Sequence, residues 1–207
     1  YSVLFVFGMM RWITKEEQFD FDVIPLFETM HGMAESERIM ETLFENKIYR
    51  NHVRARKDVQ TIMLGFSDGT KDGGYLKANW SIFKSKETLT AVCQKYNVSA
   101  VFFDGRGGPP ARGGGKTHNF YAALGSGISN EEIQMTIQGQ TITSTYGTKE
   151  KFQFNAEQLI TSGLMGDLFK TEADFSEQER ELIEELSEIS YEKYTELKMH
   201  PNFLSYL

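Results

Sequence analysis

The chain has a single cysteine, Cys93, so no disulfide can form within it and a reducing, cytoplasmic setting is expected. Cys93 falls in a helix-patterned stretch and reads as a buried, inert thiol rather than a nucleophile. Histidine is scarce as well: His31, His52, His118 and His200 are the four, and neither they nor Cys93 show ligand spacing, which argues against zinc. No Ser–His–Asp or Cys–His arrangement is legible. Basic residues are outnumbered, 22 Lys and Arg against 29 Asp and Glu for a net charge of −7. That balance disfavours a general nucleic-acid or anionic-membrane surface. No apolar run reaches the roughly 20 residues of a membrane span. The apolar run Tyr1–Ile13 lacks a basic leader and a small-residue cleavage site, so it is a poor signal peptide. The chain opens without Met, straight into that run, and is expected to be an excised piece of a larger protein in which the run packs on something. Internal repeats, low-complexity linkers and clear domain boundaries are also missing.

What is present is an ordinary globular composition over 207 residues, 40% hydrophobic and 13% aromatic, enough for a sizeable core. Short apolar runs predict strands over Asp22–Phe27, Gln60–Phe66, Val98–Phe103 and, more polar, Ile133–Ser144. Helical spacing predicts helices over Glu35–Asn46, Asp72–Tyr96, Phe152–Leu168 and Ser176–Tyr194. The last begins with Ser176 and Glu179 three apart, a capping-box pattern, and its acidic run reads as a solvated face. Alternating strands and helices imply a helix-rich α/β protein with a parallel sheet. Residues 1–147 read as a strand–helix portion and 148–207 as a mostly helical extension of the same unit.

Polar residues end each predicted strand: Glu28-Thr29 after the first, Ser67–Asp72 after the second, and Asp104-Gly105-Arg106 after the third. In α/β barrels the ligand site collects on the loops at the carboxyl ends of the strands. Glu28 and Asp68 are hard oxygen ligands suited to Mg²⁺ or Mn²⁺, with the remaining positions left to water and substrate. Alternatively, each caps a helix or pairs with an arginine. After the third strand comes DGRGGPPARGGGKTH, Asp104–His118, in which glycines surround Arg106 and Arg112 and Thr117 is a candidate helix N-cap. Glycine permits close backbone approach, and the guanidinium fork matches phosphate or carboxylate oxygens. With Lys71, the two arginines call for a strongly anionic ligand, best a phosphate plus a carboxylate. The two RGG tripeptides also occur in RNA-binding tails, but those are long, repetitive and basic. No nucleic-acid or membrane partner is expected.

In order and approximate spacing, PLFET (Pro25–Thr29), MLGFSDGTKDGG (Met63–Gly74), FDGRGGPPARGGGKTH (Phe103–His118) and QGQTI…YG (Gln138–Gly147) resemble the phosphoenolpyruvate carboxylase family. SEISYEKY, near the end, is similar to a helix of that family. The resemblance implies part of an eight-stranded (β/α)8 TIM-like barrel with extra helices, from a cytoplasmic, homotetrameric enzyme. It assigns the divalent metal, Mg²⁺ or Mn²⁺, to Glu28 and Asp68, and the signature active-site lysine to Lys71. Arg106 would contact the phosphate of phosphoenolpyruvate, with Gly107 and Gly108 allowing close approach, and Arg112 would help bicarbonate attack. In regulated members of the family, that same arginine is drawn off by inhibitory aspartate. Leu26 and Met63 match apolar residues near the substrate methylene carbon.

The implied chemistry forms carboxyphosphate and a metal-stabilised enolate of pyruvate, then oxaloacetate. The sequence departs from the family pattern at Asp104 (usually His), Phe66 (Tyr), Pro109 (Ser or Thr), Ala111 (Gly), Lys116 (Pro) and Gln140 (Glu). These departures suggest a divergent bacterial branch. Asp104 would put a carboxylate beside a phosphate site unless it pairs with Arg106 or a lysine. The family's catalytic histidine and further arginines have no match here, so the chain is expected to be inactive by itself, with the rest of the parent chain as its necessary partner. The competing enzyme reading is another Mg²⁺-dependent barrel acting on phosphoenolpyruvate or pyruvate.

Overall fold

The computed structural model describes residues 1–16, 19–105, 116–125, 127–129, 132–137, 139–168 and 175–206, with side chains except at 140 and 165–168. Four short strands make one parallel sheet in chain order: β1 Leu26–Phe27, β2 Val59–Leu64, β3 Ser99–Asp104 and β4 Ile133–Met135. Helix α1 (Ser2–Thr14) precedes the sheet. α2 (Met30–Ala34), α3 (Ser36–Glu45) and α4 (Lys47–Ala55) join β1 to β2. α5 (Phe66–Gly73) and α6 (Tyr75–Lys95) join β2 to β3, and α7 (Thr117–Ala122) precedes β4. A short helical turn, α8 (Gly139–Thr141), runs into a π-helical turn (Ile142–Tyr146). The chain closes with α9 (Lys149–Leu168), α10 (Glu177–Lys198) and α11 (Phe203–Tyr206).

The ladder pairs Leu26 with Met63, Met63 with Phe103, and Phe103 with Gln134; the next residues, Phe27, Leu64, Asp104 and Met135, pair in the same way. Because side chains alternate along a strand, these two rows face opposite sides. Phe27, Ile62, Leu64 and Phe102 are buried in the main core with Met40, Leu43, Phe44, Leu89 and Cys93 from the helices. On the other face Leu26 is exposed, and Met63 and Phe103 are half-buried.

Helix ends follow their sequence signals. Asn46 caps α4 by accepting from the Ile48 and Tyr49 N–H groups, and Ser176 and Glu179 complete the capping box of α10. α6 ends in a Schellman turn, with Val98 N–H donating to the Cys93 carbonyl and Asn97 in the left-handed region at φ 54°.

Three of the strands are shorter than their apolar runs, whereas β3 keeps the six-residue length of Val98–Phe103 shifted by one residue. β1 starts at Leu26 because Pro25 has no N–H to donate, although its carbonyl accepts from Met63 N–H at 2.9 Å. The predicted strand over Ile133–Ser144 stops at Met135, and the residues from Gly139 are helical. The predicted helix over Asp72–Tyr96 is two helices divided at Gly74, whose φ of +76° breaks the ladder. Ser67–Asp72, expected as a loop, lies within α5. Lys116 rather than Thr117 is the N-cap of α7, and α4 is a helix that the apolar spacing does not predict. The N-terminal apolar run is α1, which inserts Phe7 against Phe19, Tyr49 and His52 while Phe5, Trp12 and Ile13 stay exposed.

α10 braces the site-bearing helices. Arg180 makes two hydrogen bonds, 2.8 and 2.6 Å, to Glu87 of α6. Glu184 receives Lys77, Trp80 and Lys84 of the same helix. Burial opposes ionisation of Glu184, but the Lys84 ammonium, the Trp80 N–H and Lys77 outweigh it and draw its carboxyl down to about 2. Near the other end, Tyr194 packs on Gly74, where an added Cβ would lie 3.1 Å from its ring.

Two outcomes are expected. Gly74→Ala, strained in φ and crowded by Tyr194, should destabilise the protein by about 1–3 kcal/mol in chemical denaturation. His52 is buried, and neither ring nitrogen has a hydrogen-bond partner among the described residues. Burial lowers its pKa, outweighing the nearby Asp22 carboxylate, which raises it; the Arg56 guanidinium also lowers it. The unfolded state therefore binds the proton more readily, so this contribution is complete above about pH 6.5 and shrinks as pH falls below it. The melting temperature should fall as pH drops below about 6.5, and His52→Phe should flatten that part of the profile.

Candidate active site

The carboxyl ends of the strands lie side by side because the ladder continues one residue past each of them. Gly65 N–H donates to the Phe27 carbonyl, Gly105 N–H to Leu64, and Thr136 N–H to Asp104, all at 2.9–3.0 Å. This brings Glu28, Gly65 and Gly105 to one edge of the sheet. The contact between Glu28 and Gly65 is tight: a Cβ on Gly65 would sit 2.5 Å from Glu28 Cβ and 3.2 Å from its Cα. Gly65 is thus required by close approach, not by its φ, which is −91°.

From Gly65 the chain turns directly into α5. Asp68 stands in its first turn, where a carboxylate complements the helix dipole, and Lys71 lies in its last. Lys71 Nζ pairs with Asp68 Oδ1 at 2.8 Å; both side chains are well exposed, and such surface pairs hold weakly. α2 is seated on α5 by glycine. Cβ atoms on Gly69 and Gly73 would press on Met33 and Met30, at 3.3 Å from Met33 Cε and 2.5 Å from Met30 Sδ. Asp72 Oδ2 accepts from Met30 N–H at 2.8 Å, and Thr29 accepts from Gly32 N–H, so the turn that carries Glu28 is tied at both its helix and its neighbour. Tyr194 and Lys198 donate to the Lys71 carbonyl at the C-terminus of α5, at 2.9 and 3.0 Å.

The sequence-derived residues therefore divide into three groups. Glu28 follows β1 and lies against Gly65, the residue that opens α5, and α5 carries Asp68 and Lys71. Leu26 and Met63 are register partners on the less covered face of the sheet, beside that edge. Arg106, Gly107, Gly108, Pro109, Ala111 and Arg112 lie outside the described residues. Among the described residues no group of three or more His, Cys, Asp or Glu side chains is placed to hold a metal. Two carboxylates nonetheless fit a hard divalent cation that keeps water and substrate oxygens for the rest of its sphere. Cys93 is fully buried, and burial pushes its thiol up to about 12, so it is inert as expected.

Asp104 takes the lysine-paired alternative that its sequence position left open. It belongs to the buried row, on the opposite face from Leu26 and Met63. Its Oδ2 accepts from Lys86 Nζ of α6 at 2.8 Å and from Tyr121 OH of α7 at 2.7 Å. Neither Lys86 nor Tyr121, nor the tie made by Asp72, was singled out from sequence. A signal for Lys86 existed: it falls on the stripe of Ile82, Leu89 and Cys93, the buried face of α6.

These features define a class, a helix-rich α/β protein whose charged residues collect at the carboxyl edge of a parallel sheet, where such folds bind ligands. Within that class the family model for phosphoenolpyruvate carboxylase matches residues 2–207, and the chain belongs to that family. The phosphoenolpyruvate carboxylase of Corynebacterium diphtheriae is 36% identical over 189 residues, 90% of this chain and 21% of that protein. That of Corynebacterium efficiens is 35% identical over 202 residues (97% and 22%), and that of Nitrosomonas eutropha 36% over 188 residues (89% and 20%). The chain thus spans about a fifth of the length of the curated relatives it matches. No helix among the described residues is long and apolar enough to cross a membrane.

Gly65→Ala should displace Glu28 and lower stability by about 1–3 kcal/mol. Gly8→Ala, in α1 with nothing within 4 Å of the added carbon, should be neutral or stabilising in the same denaturation experiment.

Proposed function

We propose that the polypeptide carrying this chain is a phosphoenolpyruvate carboxylase, forming oxaloacetate and phosphate from phosphoenolpyruvate and bicarbonate. One observation supports the reading above the rest: Glu28, directly after β1, lies against Gly65 at the start of the helix that carries Asp68 and Lys71, at the strand end where Leu26 and Met63 pair. The four parallel strands in chain order, with one face less covered than the other, support a place in a (β/α)8 barrel whose remaining strands come from the rest of the parent chain.

In this mechanism a bicarbonate oxygen attacks the phosphorus of phosphoenolpyruvate and the bond from phosphorus to the enol oxygen breaks, leaving carboxyphosphate and the enolate of pyruvate. Carboxyphosphate splits to CO₂ and phosphate, and the enolate carbon captures the CO₂. Arg106 binds the phosphate, Arg112 helps orient bicarbonate, and Lys71 adds positive charge where negative charge accumulates. Leu26 and Met63 form an apolar wall near the methylene carbon, which shields the enolate from protonation by water. Glu28 and Asp68 would hold Mg²⁺ or Mn²⁺, which when bound supplies Lewis-acid stabilisation of anionic oxygens. The parent is read as a cytoplasmic homotetramer, and the 207-residue chain by itself as inactive.

The test is oxaloacetate formation by the full-length polypeptide, with and without bicarbonate and Mg²⁺. Turnover should require both and fall at least about 100-fold in Lys71→Ala and Arg112→Ala. Glu28→Gln and Asp68→Asn should raise the Mg²⁺ concentration needed for half-activity. Conversion of phosphoenolpyruvate to pyruvate without need of bicarbonate would favour the other barrel enzyme, and absence of turnover would overturn the proposal.

A further inference from the structure

The side chains of Lys86 and Asp104 are each only 1% exposed. Taking two charges out of water is seldom offset by their mutual attraction, so a pair this deep is poorly explained by stability and better explained by geometry. The geometry is specific. Lys86 stands mid-way along α6, Asp104 is the last residue of β3, and Tyr121 lies on α7. A single oxygen, Asp104 Oδ2, accepts from both Lys86 Nζ and Tyr121 OH and so joins three elements. Phe102, Phe120 and Tyr121 surround the Lys86 ammonium, with ring centroids 5.1, 5.4 and 5.7 Å away. Aromatic faces at these distances attract a cation and fix where the Lys86 side chain ends.

Asp104 and Tyr121 flank residues 105–116, the stretch that carries Arg106 and Arg112. β3 ends immediately before that stretch, and α7 is the first helix after it. The cluster also lies on the helix-facing side of the sheet, away from Leu26 and Met63, so Asp104 does not face the apolar wall proposed for the substrate. Resting on the functional reading above, we infer that Lys86, Asp104 and Tyr121 are positioning residues. They hold the two ends of the arginine-bearing segment at a set separation, and through it they tune affinity for the phosphate of phosphoenolpyruvate without touching substrate.

Steady-state kinetics of the full-length polypeptide test this with Tyr121→Phe, Asp104→Asn and Lys86→Met. Tyr121→Phe is the decisive variant, because it keeps the ring and its packing and deletes only the hydroxyl. The KM for phosphoenolpyruvate should rise roughly three- to tenfold in Tyr121→Phe, the scale of one lost hydrogen bond. The KM for bicarbonate and the melting temperature should stay close to wild type. Tyr121→Phe combined with Asp104→Asn should raise KM no further than the larger single effect, since both remove the same joint. An unchanged KM for phosphoenolpyruvate in Tyr121→Phe overturns the inference. So does a loss of kcat at constant KM, which reports fewer folded molecules. Wild-type protein that does not consume phosphoenolpyruvate overturns the functional reading itself, a result distinct from active wild type with unaffected variants.

Discussion

The parallel register of β1, β2 and β3 is the constraint on which the site depends. A hydrogen-bond ladder allows one alignment of neighbouring strands, and here it sets Phe27, Leu64 and Asp104 in a row. The residues that follow, Glu28, Gly65 and Gly105, are then forced to one edge although they are far apart in the chain. A slip by one residue would turn every strand side chain to the opposite face and bury Leu26 and Met63 in place of Phe27 and Leu64. The aliphatic and aromatic core beneath the sheet makes that slip costly, so core packing and site geometry are secured by the same register.

Position along the edge is decided by small residues and by capping. Gly65 lets Glu28 lie against the start of α5, and Gly69 and Gly73 let α2 settle on that helix. Asp72 then ties the turn after β1 to α5 through Met30 N–H. From outside, α10 braces both helices, with Glu184 and Glu87 gathering cations of α6 and of α10 itself, and Tyr194 and Lys198 closing the end of α5. The acidic face of α10 looks solvated in sequence, and much of it is. Glu184, on which three donors from α6 converge, and Glu188, which accepts from Lys77, are engaged by α6 instead.

The departure at Asp104 acquires a physical account from alternation. Considered along the chain alone, a carboxylate at the end of β3 would oppose an anion proposed to bind at the arginines that follow. In the folded sheet the side chain at that position points to the helices, where Lys86 neutralises it and Tyr121 donates to it. The two charges were legible separately, yet their pairing depends on α6 crossing back beneath β3.

By itself, the sequence determined the class of fold, the strand order along the chain, the family and the residue types at the carboxyl edge. Periodic apolar runs and polar strand ends are local patterns, and four motifs in order are hard to mistake. The capping box of α10 and the buried, inert Cys93 were legible for the same reason. Strand lengths were not, because Pro25 and the Gly65–Phe66 turn interrupt pairing in ways an apolar run does not display. Nor was the break of one long helix at Gly74, since its left-handed φ and the ring of Tyr194 across it are facts of backbone and packing. Only the tertiary structure decided which charges meet: Lys71 with Asp68 on an exposed helix turn, and Lys86 with Asp104 in the core. Pair energies depend on distance and on burial, and both are set by how helices and strands pack rather than by residue order.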